Sequence, residues 1–370
     1  MIRGRATAEG TAHYAGRFGP NVLPEHFRLF KGDVRVASVG IGTYLGREDD
    51  ATDTLYSRAV ARALERGLNV LDTAVNYRHQ RSERAIGRAL ADLIGRGALA
   101  RKEIVVATKG GYIPFDGEIP RDPSAYFTET YLRSGIAMPD DVVGGAHCMT
   151  PRYLADQIER SRKNLGLETI DVYYVHNPES QLDEIDRTEF LSRLRDAFAA
   201  LERAVEEEKI GCYGTATWNG YRGLPNEPGF LSLAEVVAAA RDAGGPDHHF
   251  RVIQLPYNLA MPEALSRANQ RVGSDTVSVL EAARRLDVYV MASASVYQGQ
   301  LTRNLPAVLA DYLPGLQTDA QRALQFVRST PGIGTALVGM KSPAHVDENA
   351  ALAGAPPVPW NDFQRLFTTE

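Results

Sequence analysis

The chain has 370 residues, 44% of them hydrophobic and 24% charged, with a formal net charge of −5. That composition fits a globular protein with a large core, and without a long basic block it argues against nucleic acid or an anionic membrane as partner. No stretch approaches the roughly 18–20 apolar residues of a membrane helix. The two cysteines, Cys148 and Cys212, form neither a CxxC pair nor a disulfide framework, so a reducing, cytoplasmic setting is expected. The basic start at 1–5 has no apolar segment after it, so no secretory leader is expected.

Residues 1–26 are polar and Gly-rich without a clear period, and read as an irregular lead-in to one unit spanning 27–370. Apolar runs at 27–30 and 34–37 flank Lys31-Gly32-Asp33, which predicts a β-hairpin. Eight short apolar runs then follow, at 39–42, 68–73, 103–109, 170–176, 212–217, 251–255, 287–292 and 334–339. Their near-continuous β-branched content is that of parallel strands buried on both faces.

The segments between have helical period. Ile86, Leu90, Leu93 and Ile94 fall on one face, as do Leu191, Leu194, Phe198, Leu201 and Val205. Thr150-Pro151 reads as an N-cap with proline at the first helical position, and Gly166 as that helix's end. Val277, Leu280 and Ala283 are expected to begin another helical face. Eight alternations with no second cluster predict a (β/α)8 TIM barrel, whose chemistry sits at the C-terminal strand ends. Two inserts, 110–149 and 256–275, follow strand C-termini and are expected to overhang that face and shape a pocket.

Three consecutive strand ends carry polar side chains. The second run ends in Asp72 with Tyr77 just beyond it, the third in Lys109 and the fourth in His176. Each alone is more often bland: a helix cap, a solvated lysine, a structural histidine, a packing tyrosine. Together they compose a proton donor. A tyrosine titrates near 10, a neighbouring ammonium favours its phenolate, and a carboxylate keeps the ammonium charged. A histidine beside the phenol can orient a carbonyl oxygen. On this reasoning Lys109 is expected to lower the pKa of Tyr77.

This Asp-x4-Tyr…Lys…His set resembles the catalytic tetrad of the aldo-keto reductase superfamily. The surrounding words agree: LNVLDTAVNY at 68–77, SERAIG at 82–87, IVVATK at 104–109 and IDVYYVH at 170–176. The likeness runs from about 27 to 352 apart from the inserts. It implies an NADP-dependent oxidoreductase that reduces an aldehyde or ketone, or oxidises an alcohol or sugar. In it Tyr77 is the general acid/base, Lys109 and Asp72 tune it, and His176 orients the substrate. Thr43 would touch the cofactor after Gly42, and Tyr44 and Trp218 the substrate.

No G-x-G-x-x-G follows a strand, so a Rossmann fingerprint is absent. By the resemblance Gln254 holds the nicotinamide carboxamide, and Gly339-Met340-Lys341-Ser342-Pro343 with Asn349 is the adenosine end. Lys341 and Ser342 suit a 2′-phosphate, favouring NADP(H) over NAD(H), and His345 stands where adenine can stack. Thr217, Ser293, Ser295 and Gly299 complete the cofactor side. Three positions depart from the family pattern: Ala216 and Thr217 replace a serine and an asparagine, and Ser293 replaces the aromatic residue that stacks on nicotinamide. Tyr297 and Trp218 are the candidates to supply a stacking face instead.

His147-Cys148 and His248-His249 lack metal-ligand spacing, so no metal is expected. The Glu206–Lys209 run reads as a solvated helix end, and Cys212 as core. Two rivals stand beside the reductase: a non-catalytic nicotinamide-binding regulatory or redox-sensing subunit, and a metal-dependent hydrolase on the same barrel. The second lacks ligands, since only Asp72 and His176 are available.

Overall fold

A computed structural model describes residues 1–367; the last three residues of the expected 27–370 unit, 368–370, lie outside the described residues. Eight parallel strands close into a barrel in which each hydrogen-bonds to the next and the last to the first. In chain order they are Val39–Gly42, Val70–Asp72, Val105–Gly110, Ile170–His176, Ile210–Ala216, Phe250–Pro256, Tyr289–Ser293 and Thr335–Gly339. Each lies within a few residues of its predicted run. This is the (β/α)8 architecture that the alternation implies.

Two apolar layers hold it together. Between strands and helices lie Ile86, Leu90, Leu93, Leu194, Phe198 and Leu201, all fully buried. These belong to the helices Arg81–Gly95 and Arg187–Glu206, whose predicted faces are the ones that pack. Inside the barrel, Val70, Val105, Val172, Cys212, Val252 and Met291 fill the lumen. The predicted hairpin, Phe27–Phe30 with Val34–Ala37, closes the bottom by adding Phe30 and Val36 to that inner layer. Thr150 and Gly166 bound the helix Pro151–Leu165 as expected, although the Thr150 side chain makes no capping bond; Gly166 adopts φ +69°, which a glycine reaches without strain. Among the described residues no helix is long and apolar enough to cross a membrane.

Three expectations are corrected. Residues 1–26 are not irregular throughout: Ala8–Gly16 is a helix whose N-cap Thr7 accepts from the Gly10 amide. Its buried face is Gly10, Thr11 and Tyr14, too small and polar to register as periodic. A Cβ at Gly10 would sit 2.3 Å from the Lys102 carbonyl oxygen, so that helix docks only because glycine is there. Val277 belongs to a strand, Asp275–Val277, paired with Gln270–Val272; the helix begins after it at Val279, with Ser278 as N-cap.

The inserts are the third correction. The 256–275 segment folds as a short helix and a strand against the loop at 221–223, where Asn269 Nδ2 donates to the carbonyls of Tyr221 and Gly223. It contributes nothing to the cavity described below. The 110–149 segment builds a small core of its own, with Tyr131, Ala137 and Cys148 packed on Tyr153. Its aromatic residues satisfy one another rather than cover a pocket: Phe115 meets Tyr126, and Tyr126 and Phe127 meet Tyr131. Only Tyr112 of this insert reaches the cavity.

Candidate active site

Strand register assembles the site. Gly42 pairs with Asp72, Asp72 with Ala107, and Lys109 with Tyr174; His176 pairs with Ala216, which pairs with Gln254. Successive strand ends therefore each deliver a polar group to the same rim. Lys109 is fully buried. Its Nζ donates to Asp72 Oδ1 at 3.0 Å and Oδ2 at 2.8 Å, and to the Thr73 carbonyl at 2.8 Å. Asp72 also accepts from Gln254 Nε2 at 2.8 Å, and its backbone carbonyl accepts from Thr43 Oγ1 at 3.2 Å. The ammonium lies 4.8 Å from the centre of the Tyr77 ring. That ring meets His176 edge-on at 5.8 Å and Tyr44 at 4.9 Å.

Burial works against the Lys109 ammonium, but the Asp72 carboxylate and Tyr77 outweigh it, and the lysine is held above its ordinary range. For Tyr77 the balance runs the other way. Burial pushes the phenol above its ordinary value, and Lys109 draws it back only in part. Lys109 thus acts in the expected direction, but desolvation of the phenolate is the larger effect, so the phenol keeps its proton at neutral pH. Burial, then the Lys109 charge, then His147, press His176 well below the ordinary histidine range. Its imidazole is neutral.

His147, from the end of the first insert, donates from Nε2 to the His176 carbonyl at 2.7 Å, and its Nδ1 lies 2.9 Å from Gln181 Nε2. An amide nitrogen only donates, so Nδ1 must accept and cannot take a proton without losing that bond. Burial accordingly lowers His147 to about 4. His26 is lowered to about 3, by burial and then by the Arg328 charge.

Three histidines kept neutral in the fold protonate first in the unfolded chain. The stability they contribute is complete above their unfolded pKa, about 6.5, and is lost as pH falls toward their folded values. The limiting slope is about 1.4 kcal/mol per pH unit for each histidine, about 4 for the three together. Urea unfolding at pH 7.5, 6.0 and 5.0 should show this decline beginning below pH 6.5, and His147→Gln should flatten it by about a third. A slope equal to wild type in that variant would remove His147 from the account.

Beside Tyr77 opens a cavity of about 840 Å³, inside the range of small-molecule sites. Of the residues singled out in the sequence, Gly42, Thr43, Tyr44, Asp72, Tyr77, His176, Thr217, Trp218, Gln254, Ser293, Ser295, Gly299, Lys341, His345 and Asn349 line it. Lys109 lies behind Tyr77, outside the lining. Ser342 is also outside: its Oγ accepts from the His345 amide at 3.3 Å and caps the helix Pro343–Ala350. Trp218 lines the cavity and Tyr297 does not, so of the two candidates for a stacking face only Trp218 is in place. Thr217 Oγ1 and Asn349 Oδ1 are buried at the cavity with no partner in the fold. Buried polar atoms without partners are costly; the amide oxygen of Asn349 can accept a hydrogen bond and the hydroxyl of Thr217 can accept or donate one.

The cavity also includes Asn76 and Asn177, which no motif singles out, and Tyr112 of the insert expected to shape the pocket. Asn76 and Asn177 adjoin Tyr77 and His176, and their place beside strand ends is the signal that could have found them. Tyr112 follows the third strand; its ring meets His176 edge-on at 5.2 Å, and its hydroxyl lies 3.1 Å from both Ser180 Oγ and Asn177 Nδ2. Nothing in its local sequence separates it from the other insert tyrosines.

The family model described as "Aldo/keto reductase family" matches residues 38–305, well over half of the chain. The chain belongs to the aldo/keto reductase family. It is an oxidoreductase of the aldo-keto reductase type. The fold matches that of an aldo/keto reductase from Klebsiella pneumoniae solved in complex with NADP and acetate, with TM-score 0.61 and 21% identity over 92% of this chain and 94% of that one. Among relatives, a Schizosaccharomyces pombe chain named provisionally as a voltage-gated potassium channel subunit beta is 19% identical over 92% of this chain and 90% of its own length. A Pseudomonas D-threo-aldose 1-dehydrogenase is 30% identical over a shorter stretch, 41% of this chain and 40% of that protein.

Proposed function

We propose that this aldo-keto reductase reduces the carbonyl of a small molecule with NADPH, or runs the reverse oxidation of an alcohol or sugar, with Tyr77 as general acid/base. The observation that carries the reading is the buried Lys109 ammonium, bound to both oxygens of Asp72 and 4.8 Å from the ring of Tyr77, which lines a cavity together with His176.

A bound nicotinamide dinucleotide supplies or accepts the hydride. The protein's own groups handle the proton and the orientation. Tyr77 gives its phenolic proton to the carbonyl oxygen as charge develops there. The phenolate left behind faces the Lys109 ammonium, which Asp72 keeps protonated and fixed. His176 is neutral, so it positions the carbonyl by hydrogen bonding without competing as an acid. The aromatic and amide side chains near Tyr77 (Tyr44, Tyr112, Trp218, Asn76 and Asn177) suit an uncharged substrate.

For the cofactor, the unpartnered Thr217 Oγ1 and Asn349 Oδ1 suit the carboxamide and adenine ends, with Gln254 between Asp72 and the cavity. Thr217 takes over from the residues that the family pattern places there. Lys341 and the capped helix start at Ser342 favour NADP(H) over NAD(H), because a phosphate dianion is drawn to an ammonium and to helix amides. The K. pneumoniae structure holding NADP supports this choice. Cys148 and Cys212 are both free and buried, which supports a cytoplasmic location.

A second reading is favoured by one observation, the relation to the S. pombe channel subunit over nearly the whole chain. In it the protein binds nicotinamide and regulates a partner. Fluorescence titration with NADPH and NADH, followed by consumption of each on aldehydes and ketones, separates the two. NADPH is expected to bind at least about tenfold tighter than NADH, and Lys341→Ala to erase most of that margin, as fits one phosphate contact of about 1.4 kcal/mol or more. Tight binding with no turnover on any carbonyl would transfer the case to the regulatory reading. Failure to bind either cofactor would end both.

A further inference from the structure

Immediately after Tyr77 the backbone enters the left-handed region at three consecutive residues, Arg78, His79 and Gln80, with φ of +49°, +53° and +72°. None is glycine, and L-residues with a Cβ avoid this region. A turn so disfavoured persists only where its surroundings over-determine it.

Side chains supply that hold. Arg78 is buried; its Nε donates to the Arg47 carbonyl at 2.8 Å, and its Nη2 to the Asp49 carbonyl at 3.3 Å and to Asp53 Oδ1 at 2.6 Å. Its guanidinium lies 5.4 Å from the centre of the Tyr56 ring. Tyr56 in turn donates its hydroxyl to the Leu45 carbonyl. On the other flank, Gln80 donates to the Phe115 carbonyl at 2.8 Å, and the His79 carbonyl accepts from the Gly117 amide at 2.8 Å.

Arg78 thus joins two walls of one cavity. It stands next to Tyr77 in the chain, and it grips the segment 45–49 that follows Tyr44, the ring packed edge-on against Tyr77 at 4.9 Å. We propose that Arg78 is a positioning residue: through the carbonyls at 47 and 49, Asp53 and Tyr56, it sets where the Tyr77 hydroxyl stands relative to the substrate wall formed by Tyr44 and Leu45. This rests on the reading of Tyr77 as the proton donor. Its chemical basis is that misplacing a reacting group by a fraction of an ångström slows the chemical step without weakening binding elsewhere.

The test uses glycine. Arg78→Gly adopts φ +49° without strain, so it permits the turn while removing the clamp. Asp53 stays paired in that variant, since Arg81 Nη2 lies 3.0 Å and Arg88 Nη2 3.3 Å from Oδ2. If Arg78 served only to let the chain turn, glycine would be silent. The expected result on the best carbonyl substrate is a fall in kcat of about tenfold or more, with the NADPH dissociation constant within about twofold of wild type. Arg78→Lys keeps the charge opposite Asp53 but loses the fork onto the two carbonyls, and should fall between. It also serves if the glycine variant fails to fold. Wild-type kcat and KM in the folded variants would overturn the proposal. Tyr77→Phe, measured in parallel, keeps the two claims apart. If it retains turnover, the proton-donor reading fails; if it is inactive while the Arg78 variants are unaffected, only the positioning role fails.

Discussion

Tyr77→Phe is expected to lower kcat by about a thousandfold while leaving NADPH affinity within about twofold, because a positioned general acid typically contributes 10²–10⁴. The substitution removes one oxygen and little else. The ring keeps its edge contacts with Tyr44 and His176, and Lys109 still faces it. The midpoint of thermal unfolding should therefore move by no more than a few degrees, and steady-state rates together with cofactor fluorescence titration check both halves. The phenol is held above its ordinary pKa by burial, so wild-type carbonyl reduction should stay flat through neutral pH and decline only in the alkaline range as the phenol ionises. Residual activity in the variant should lack that alkaline limb. A variant that turns over at the wild-type rate would move the proton donor elsewhere on the cavity wall.

The second large effect concerns Lys109. Lys109→Met deletes the ammonium that faces Tyr77 and leaves the buried Asp72 carboxylate with Gln254 as its remaining side-chain donor. Breaking a buried pair from one side typically costs about 3–5 kcal/mol, because the surviving charge loses its compensation. Activity should fall with stability, since burial of Tyr77 would then be unopposed. The double variant Lys109→Met/Asp72→Leu separates the two losses. With both charges gone the desolvation penalty disappears, so denaturant unfolding should recover most of the stability, while turnover should stay as low as in the single variant. Recovery of turnover in the double variant would show that the pair serves only to fill space.

Continuous apolar runs are legible because a strand buried on both faces must be apolar at every position, and eight of them with helices between leave few topologies. The hairpin was readable from its glycine turn, and the helix faces around Leu90 and Phe198 from their spacing. Asp72, Tyr77, Lys109 and His176 could be picked out because each ends or follows a run, where barrel geometry gathers side chains. The helix Ala8–Gly16 is not legible in the sequence because docking through Gly10, Thr11 and Tyr14 leaves no apolar period.

The protonation of the tetrad lay beyond the sequence. Which of burial and the neighbouring ammonium wins at Tyr77 depends on how much water the surrounding walls exclude, and no residue pattern encodes that. The same holds for the inserts. Their place after strand C-termini predicts a pocket wall, whereas packing gives 110–149 a small core of its own, with Tyr112 as the exception that reaches His176. What the sequence alone determined was the alternation and the strand-end chemistry, both properties of short stretches of chain. What the tertiary structure decided was which side chains meet, because Arg78 with Asp53, His147 with His176 and Gln254 with Asp72 are 25, 29 and 182 residues apart and become neighbours only when the barrel closes.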